Sequence, residues 1–200
     1  MHDRTRLVRR AFRLECLTAA WLLLEAAVAI GSGIAAHSLS LIAFGADSLI
    51  ELASAGLLLW RLGVELRRGS DFPETIEHAA SRIGGALLFA LAGYVVASAA
   101  HGLWMRNGQE FSMPGLILAL VAVPVMYWLA RAKRRIAAQI NSAALRADAI
   151  ESIACAYLSM TVVIGLVVQA ATGAWWIDSV TALAIVGFLV KEGIEAWRSE

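Results

Sequence analysis

Residues 38–60 read SLSLIAFGADSLIELASAGLLLW, and this stretch decides the kind of chain it belongs to. As a helix rising about 1.5 Å per residue, it is long enough to cross the roughly 30 Å hydrocarbon core of a bilayer. In its middle lie two acids, Asp47 and Glu51. Residues four apart fall on one helix face, so both carboxylates point the same way. Ionisable groups at membrane depth are costly and tend to mark function. A second apolar stretch, LRADAIESIACAY at 145–157, carries Asp148, Glu151 and Cys155. Its Glu151 and Cys155 are again four apart. Two such pairs facing each other make a four-ligand cage, which suits a divalent metal ion in transit.

The rest of the chain agrees with a membrane reading. Hydrophobic residues make up 60% of the 200 and the mean hydropathy is +0.69, whereas soluble domains sit nearer about 45–50% apolar. Six spans of roughly 20 residues can be drawn, at 14–36, 38–62, 83–103, 114–131, 144–171 and 176–196. They lack strand alternation, and only helices or closed barrels satisfy the backbone in lipid. The expectation is therefore an all-α polytopic protein of six transmembrane helices, with residues 1–200 forming a single transmembrane domain. Arg9-Arg10 before the first apolar run loosely resembles a twin-arginine signal. That run is long, contains Glu25 and is followed by five more spans, so it reads as a retained signal anchor.

All the lysines and arginines except Arg106 fall on one side of these spans. The positive-inside rule makes that side cytoplasmic and puts both termini inside, in a bacterial inner membrane or its equivalent. Trp60, Trp104, Trp128, Trp175, Trp176 and Trp197 fall near span ends, where indole favours the interface. Two longer inner loops are expected, at 63–82 and 132–143. The first becomes acidic after its arginines, with Asp71, Glu74, Glu77 and His78, and reads as a solvated loop or a weak metal-collecting mouth. The net charge of +1 is spread over short loops and does not argue for nucleic acid. Cys16 and Cys155 lie far apart, in or beside spans, and imply no disulfide framework. No Gly-rich phosphate loop, nucleophile elbow or CxxC motif appears, so the chain reads as neither an enzyme nor a holder of a prosthetic group.

The polar residues inside the spans carry the functional reading. Asp47 and Glu51 repel each other if both are ionised in a low dielectric, and a cation relieves that repulsion. Their alternative role is to hold neighbouring helices together. Asp148, Glu151, Ser152 and Cys155 project over one stripe (i, i+3, i+4, i+7). Glu151 is the deeper ligand candidate. Asp148, nearest the cytoplasmic mouth, is either a ligand or a partner for Arg146 and the arginine loop. Cys155 is either a thiolate ligand or a small core residue. Glu25 in the first span is a further ligand, a partner behind the ligands, a proton carrier, or an acceptor for a Ser or Thr on a neighbouring helix. Asp178 is expected to cap the helix it opens. His37 and His101 read as surface histidines at outer span ends.

These residues, in this order, resemble the cation diffusion facilitator family. The carriers are Ser38-Leu39-Ser40-Leu41 leading into Ala46-Asp47-Ser48-Leu49-Ile50-Glu51, then Arg146-Ala147-Asp148 leading into Glu151 and Cys155, then Trp175-Trp176-Ile177-Asp178. The resemblance covers most of the chain. It implies a homodimeric exporter of divalent metal ions, driven by proton exchange with alternating access. The family's transport site pairs two ligands on the second span with a histidine–aspartate pair on the fifth. Asp47 and Glu51 match the first pair, Glu151 stands where the histidine is expected, and Cys155 stands where the aspartate is expected. The motif Phe44-Gly45-x-Asp47-Ser48-Leu49-Ile50-Glu51 and the run Cys155-Ala156-Tyr157-Leu158-Ser159 are similar to a subgroup. No C-terminal cytoplasmic domain and no His-rich inner loop are expected here.

The resulting expectation is a secondary transporter that exports a divalent cation from the cytoplasm in exchange for protons. Zinc comes first, with cadmium, cobalt, manganese and iron behind it. Two readings compete with it: a non-transport membrane subunit whose acids only join helices, and a cation channel. Acids scattered over many faces would suit the first, whereas two i,i+4 sets suit it poorly. A tight multi-ligand cage slows release and favours a carrier over a channel. Haem is disfavoured, because His2, His37, His78 and His101 lie near span ends or in loops.

Overall fold

Each apolar run folds as one helix. The computed structural model describes residues 2–68, 74–106 and 110–198. Its helices are α1 (His2–Ala35), α2 (Leu39–Arg68), α3 (Glu74–Met105), α4 (Met113–Ile140), α5 (Ala143–Thr172) and α6 (Ile177–Arg198). Five of them are long and apolar enough to cross a membrane. The sixth, α6, carries Asp178, Lys191, Glu192 and Glu195 within its 22 residues.

The helices are longer than the spans. The loop expected at 132–143 is helix as far as Ile140, and the connection shrinks to Asn141 and Ser142. Asn141 takes a left-handed conformation that ends α4, and the Ser142 side chain accepts from the Leu145 backbone to start α5. The loop expected at 63–82 is likewise short, because α2 continues to Arg68 and α3 begins at Glu74. Asp71 lies outside the described residues, whereas Glu74, Glu77 and His78 belong to α3. The physical reason is simple. Lysine and arginine are good helix formers, so hydropathy marks where an apolar run ends, and the backbone helix runs on past it.

The helices pair as α1 with α2, α4 with α5, and α3 with α6. Contacts of α1 with α4 and of α2 with α5 join the first two pairs into a four-helix unit. The α3–α6 pair packs beside it, against α2 and α5. Close approach of α1 and α2 depends on two glycines. A Cβ on Gly33 would lie 2.9 Å from the Ile42 backbone nitrogen, and one on Gly45 would lie 3.0 Å from that of Ile30.

Polarity runs opposite to that of a soluble bundle. Leu17, Leu23, Leu24, Ile34, Leu120, Val121 and Ile164 are exposed, while Glu15, Glu25, Asp47, Glu51, Lys133 and Asp148 are buried. Apolar surface facing outward and ionisable groups facing inward is what lipid as solvent selects. The six tryptophans near span ends are all exposed as well.

Candidate functional site

The site begins on α2. Its helical register buries Phe44, Asp47, Ser48, Glu51 and Ala55 on one side while Leu49 and Trp60 face out. Asp47 and Glu51 are only 4% and 8% exposed, and they share a face as their spacing requires. On α5 the buried stripe is Leu145, Asp148, Ser152, Cys155, Leu158 and Val162. The two stripes face each other inside the four-helix unit. Ser152 Oγ donates to Glu51 Oε1 across the gap at 3.4 Å and also to the Asp148 carbonyl at 3.1 Å.

Glu151 lies at the rim of this stripe. It is half-buried and accepts from Ser54 Oγ of α2 at 3.3 Å. It remains within electrostatic reach of Asp47 and Glu51. A fourth carboxylate that the sequence reading passed over, Glu192 of α6, lies within electrostatic range of Asp47 and Glu151. Its register with the buried Ile185 and Leu189 (i, i+4, i+7) is the signal that could have found it.

Glu25 takes the role of an acceptor for neighbours. Its Oε2 accepts from Trp21 Nε1 at 2.7 Å, and its Oε1 accepts from Ser48 Oγ at 2.7 Å and from the Cys155 thiol at 3.3 Å. The serine bond is the cross-helix partner that the sequence reading offered for this acid. Cys155 therefore meets Glu25 in this structure, deep in the core at 1% exposure.

Asp148 is held by Lys133 of α4, whose Nζ lies 2.5 Å from Asp148 Oδ2 and 3.1 Å from Glu15 Oε1. The partner offered for it, Arg146, is exposed. Lys133 itself had been assigned to the arginine-rich loop, but it is a fully buried residue within α4. Glu15 is also fully buried. The acids thus divide in two. Asp47, Glu51, Glu151 and Glu192 surround the α2–α5–α6 junction, and Glu15 with Asp148 flanks a lysine nearer the arginine-rich end.

At the opposite end, Asp178 departs from expectation. It is the second residue of α6, yet its carboxylate reaches across to the N-terminus of α2. It accepts from Ser38 Oγ (2.8 Å), Leu39 N (2.6 Å), Ser40 N (3.1 Å) and Ser40 Oγ (2.6 Å). Those backbone N–H groups have no partner within their own helix, and a carboxylate there also complements the helix dipole. Asp178 caps its neighbour, and in doing so fixes α2, which carries Asp47 and Glu51, to α6, which carries Glu192.

Among the described residues, no three His, Cys, Asp or Glu side chains converge at metal-holding distances. Glu51 and Glu151 are each engaged by a serine through a long bond, and Cys155 by Glu25.

The family model for the cation efflux transmembrane domain matches residues 17–200. An uncharacterized transporter of Synechocystis sp. is 29% identical over 157 residues, which are 76% of this chain and 50% of the relative. The chain thus spans about half the length of the curated relative it matches.

Proposed function

The chain belongs to the cation efflux family, a family of transporters and not of enzymes, and on that footing we propose that it exports a divalent metal cation in exchange for protons. The observation that carries this reading is the burial of Asp47 and Glu51 on α2 against the α5 stripe, with Glu151 at its rim bonded to Ser54 of α2. Three carboxylates crowded in a low dielectric favour a doubly charged guest. Oxygen donors take zinc, manganese or cobalt, and a thiolate from Cys155 would tilt the preference toward zinc and cadmium. Zinc is the first choice of cargo.

In this reading Asp47, Glu51 and Glu151 are the primary ligands. Cys155 joins them by leaving Glu25, which stands behind it as an acceptor. Asp148 stays with Lys133. The serine contacts of Glu51 and Glu151, at 3.4 and 3.3 Å, are weak enough to be exchanged for an ion. Ligands must be deprotonated to bind, so cargo arrival displaces protons, and the proton gradient then drives export. The chain acts as a homodimer across α3, where Ala86, Ala90 and Gly93 lie exposed on one face and allow close helix approach. Gly85, one of the small residues of that segment, is instead used within the chain, where a Cβ would collide with Trp197 of α6.

The test is uptake by proteoliposomes across a panel of divalent ions, with and without an ionophore that collapses the pH gradient. The reading expects concentrative transport of zinc that stops when the gradient is removed. Undiminished uphill transport without a gradient would exclude proton coupling, and no transport of any divalent ion would exclude the function.

A further inference from the structure

The buried lysine has a place in the site that transport alone does not assign. An ammonium carries three N–H donors. Lys133 Nζ is ion-paired with Glu15 Oε1 on α1 at 3.1 Å and with Asp148 Oδ2 on α5 at 2.5 Å, and it donates a hydrogen bond to Ser152 Oγ on α5 at 3.3 Å. Lys133, Glu15 and Ser152 have no exposed surface. Burying a charge is costly unless it is paired, and pairing to a single acid would satisfy that need. Here the third donor is spent on a hydroxyl.

That hydroxyl has one proton to give. With the Lys133 ammonium donating to its oxygen, the Ser152 proton is turned away from Lys133, toward Glu51 Oε1 at 3.4 Å and the Asp148 carbonyl at 3.1 Å. With that proton shared between the Asp148 carbonyl and Glu51, one branch of a directed path of donors runs from the ammonium, through Ser152, to one oxygen of Glu51. It leaves the other oxygen of Glu51 without a bond from this path. Groups placed behind a ligand in this way orient it, and removing them costs roughly 10- to 100-fold in metal affinity.

We propose that Lys133 is a positioning residue for the cargo site, which fixes the Glu51 carboxylate through Ser152 and thereby sets the affinity for the ion. The inference rests on the reading of Glu51 as a cargo ligand. Glu15 and Asp148 hold the ammonium in place, which explains why two buried acids surround one lysine. No carboxylate oxygen of Glu15 or Asp148 accepts a hydrogen bond, so the two acids hold Lys133 by charge, through the ion pairs at Glu15 Oε1 and Asp148 Oδ2.

The experiment is a double-mutant cycle on the full-length chain, with zinc affinity measured by calorimetry in detergent and zinc transport measured in proteoliposomes. Lys133→Met and Ser152→Ala should each weaken zinc binding about tenfold. KM should rise in both, with the maximal rate held within about twofold. The combined variant should be no weaker than either single one, because both break the same path. Lys133→Met leaves Glu15 and Asp148 buried without a cation and risks misfolding. Glu15→Gln/Lys133→Met removes one charge of each sign and should show the same loss. A lysine effect that persists in full in the Ser152→Ala background would overturn the proposal, and so would unchanged affinity in the lysine variants. Glu51→Gln separates the two layers. If it leaves zinc affinity unchanged, the cargo site is wrongly placed and this inference goes with it. If Glu51→Gln weakens binding and the Lys133 and Ser152 variants do not, only the positioning role is lost.

Discussion

Replacing Asp178 by alanine tests the cross-helix cap. The carboxylate accepts four bonds, two from the Leu39 and Ser40 backbone and two from the Ser38 and Ser40 hydroxyls. The hydroxyls can re-pair, since their oxygens already lie 3.2 Å apart. The two backbone N–H groups lose their acceptor, because the first turn of α2 has no carbonyl of its own helix to bond. A stranded buried donor costs about 1–3 kcal/mol, and losing a cap costs about 0.5–2 kcal/mol. Both figures describe one loss, so two stranded donors cost about 2–6 kcal/mol, and with the carboxylate's own burial cost partly recovered the net loss is about 3 kcal/mol. At about 2–4 °C per kcal/mol for a chain of this size, Asp178→Ala should melt roughly 6–12 °C below the parent. Asp178→Asn keeps one acceptor oxygen and should lose about a third of that. Thermal unfolding in detergent gives the global value. Hydrogen exchange at residues 38–42 gives the local one, with Leu39 and Ser40 amides exchanging faster in the alanine variant. A melting temperature within about 1 °C of the parent, with unchanged exchange at those amides, would refute the cap.

A Cβ on Gly45 would sit 2.7 Å from the Ile30 side chain and 3.0 Å from its backbone nitrogen, so Gly45→Ala should cost about 1–3 kcal/mol; an unchanged melting point would show that α1 and α2 are not locked there. Cys155→Ser should weaken zinc and cadmium binding, because a neutral hydroxyl is a poor substitute for thiolate. Cys155→Asp should weaken cadmium more than zinc and improve the handling of harder ions; identical affinities in parent, Ser, Asp and Ala variants would remove Cys155 from the site. Ala90→Trp on the outer face of α3 should shift the detergent-solubilised protein from dimer to monomer by light scattering, and an unaltered mass would place the dimer contact elsewhere.

The helices were legible because the apolar runs are long and uninterrupted, and Asp47 and Glu51 were legible because two acids one turn apart have no place in lipid without a purpose. Two kinds of residue escaped. Lys133 sits among Arg131, Arg134 and Arg135, and composition alone places all four in a loop. Register separates them: Lys133 continues the buried line of Met126, Ala130, Ala137 and Ile140, and the three arginines do not. Glu15 was passed over in the same way, at the edge of a span whose helix begins much earlier. Glu192 and the reach of Asp178 depend on how α6 packs against α2 and α5. No local pattern encodes that contact, because the residues involved lie on different helices, far apart in sequence. Asp148, offered as a ligand or as a partner for Arg146, is ion-paired with Lys133 instead, because the pairing depends on how α4 packs on α5.

If the α2 acids hold the cargo, Asp47→Ala removes transport without harming the fold. Asp47 makes no hydrogen bond among the described residues and lies buried in an apolar helix face. Removing its carboxylate should therefore leave folding and membrane insertion intact, while a cage that loses an anionic ligand loses much of its affinity. The measurement is zinc uptake by proteoliposomes containing equal amounts of parent and variant, with melting temperature as the control for folding. The account predicts a variant that melts at or above the parent temperature and transports no zinc. A folded Asp47→Ala protein that transports zinc at near the parent rate would contradict it.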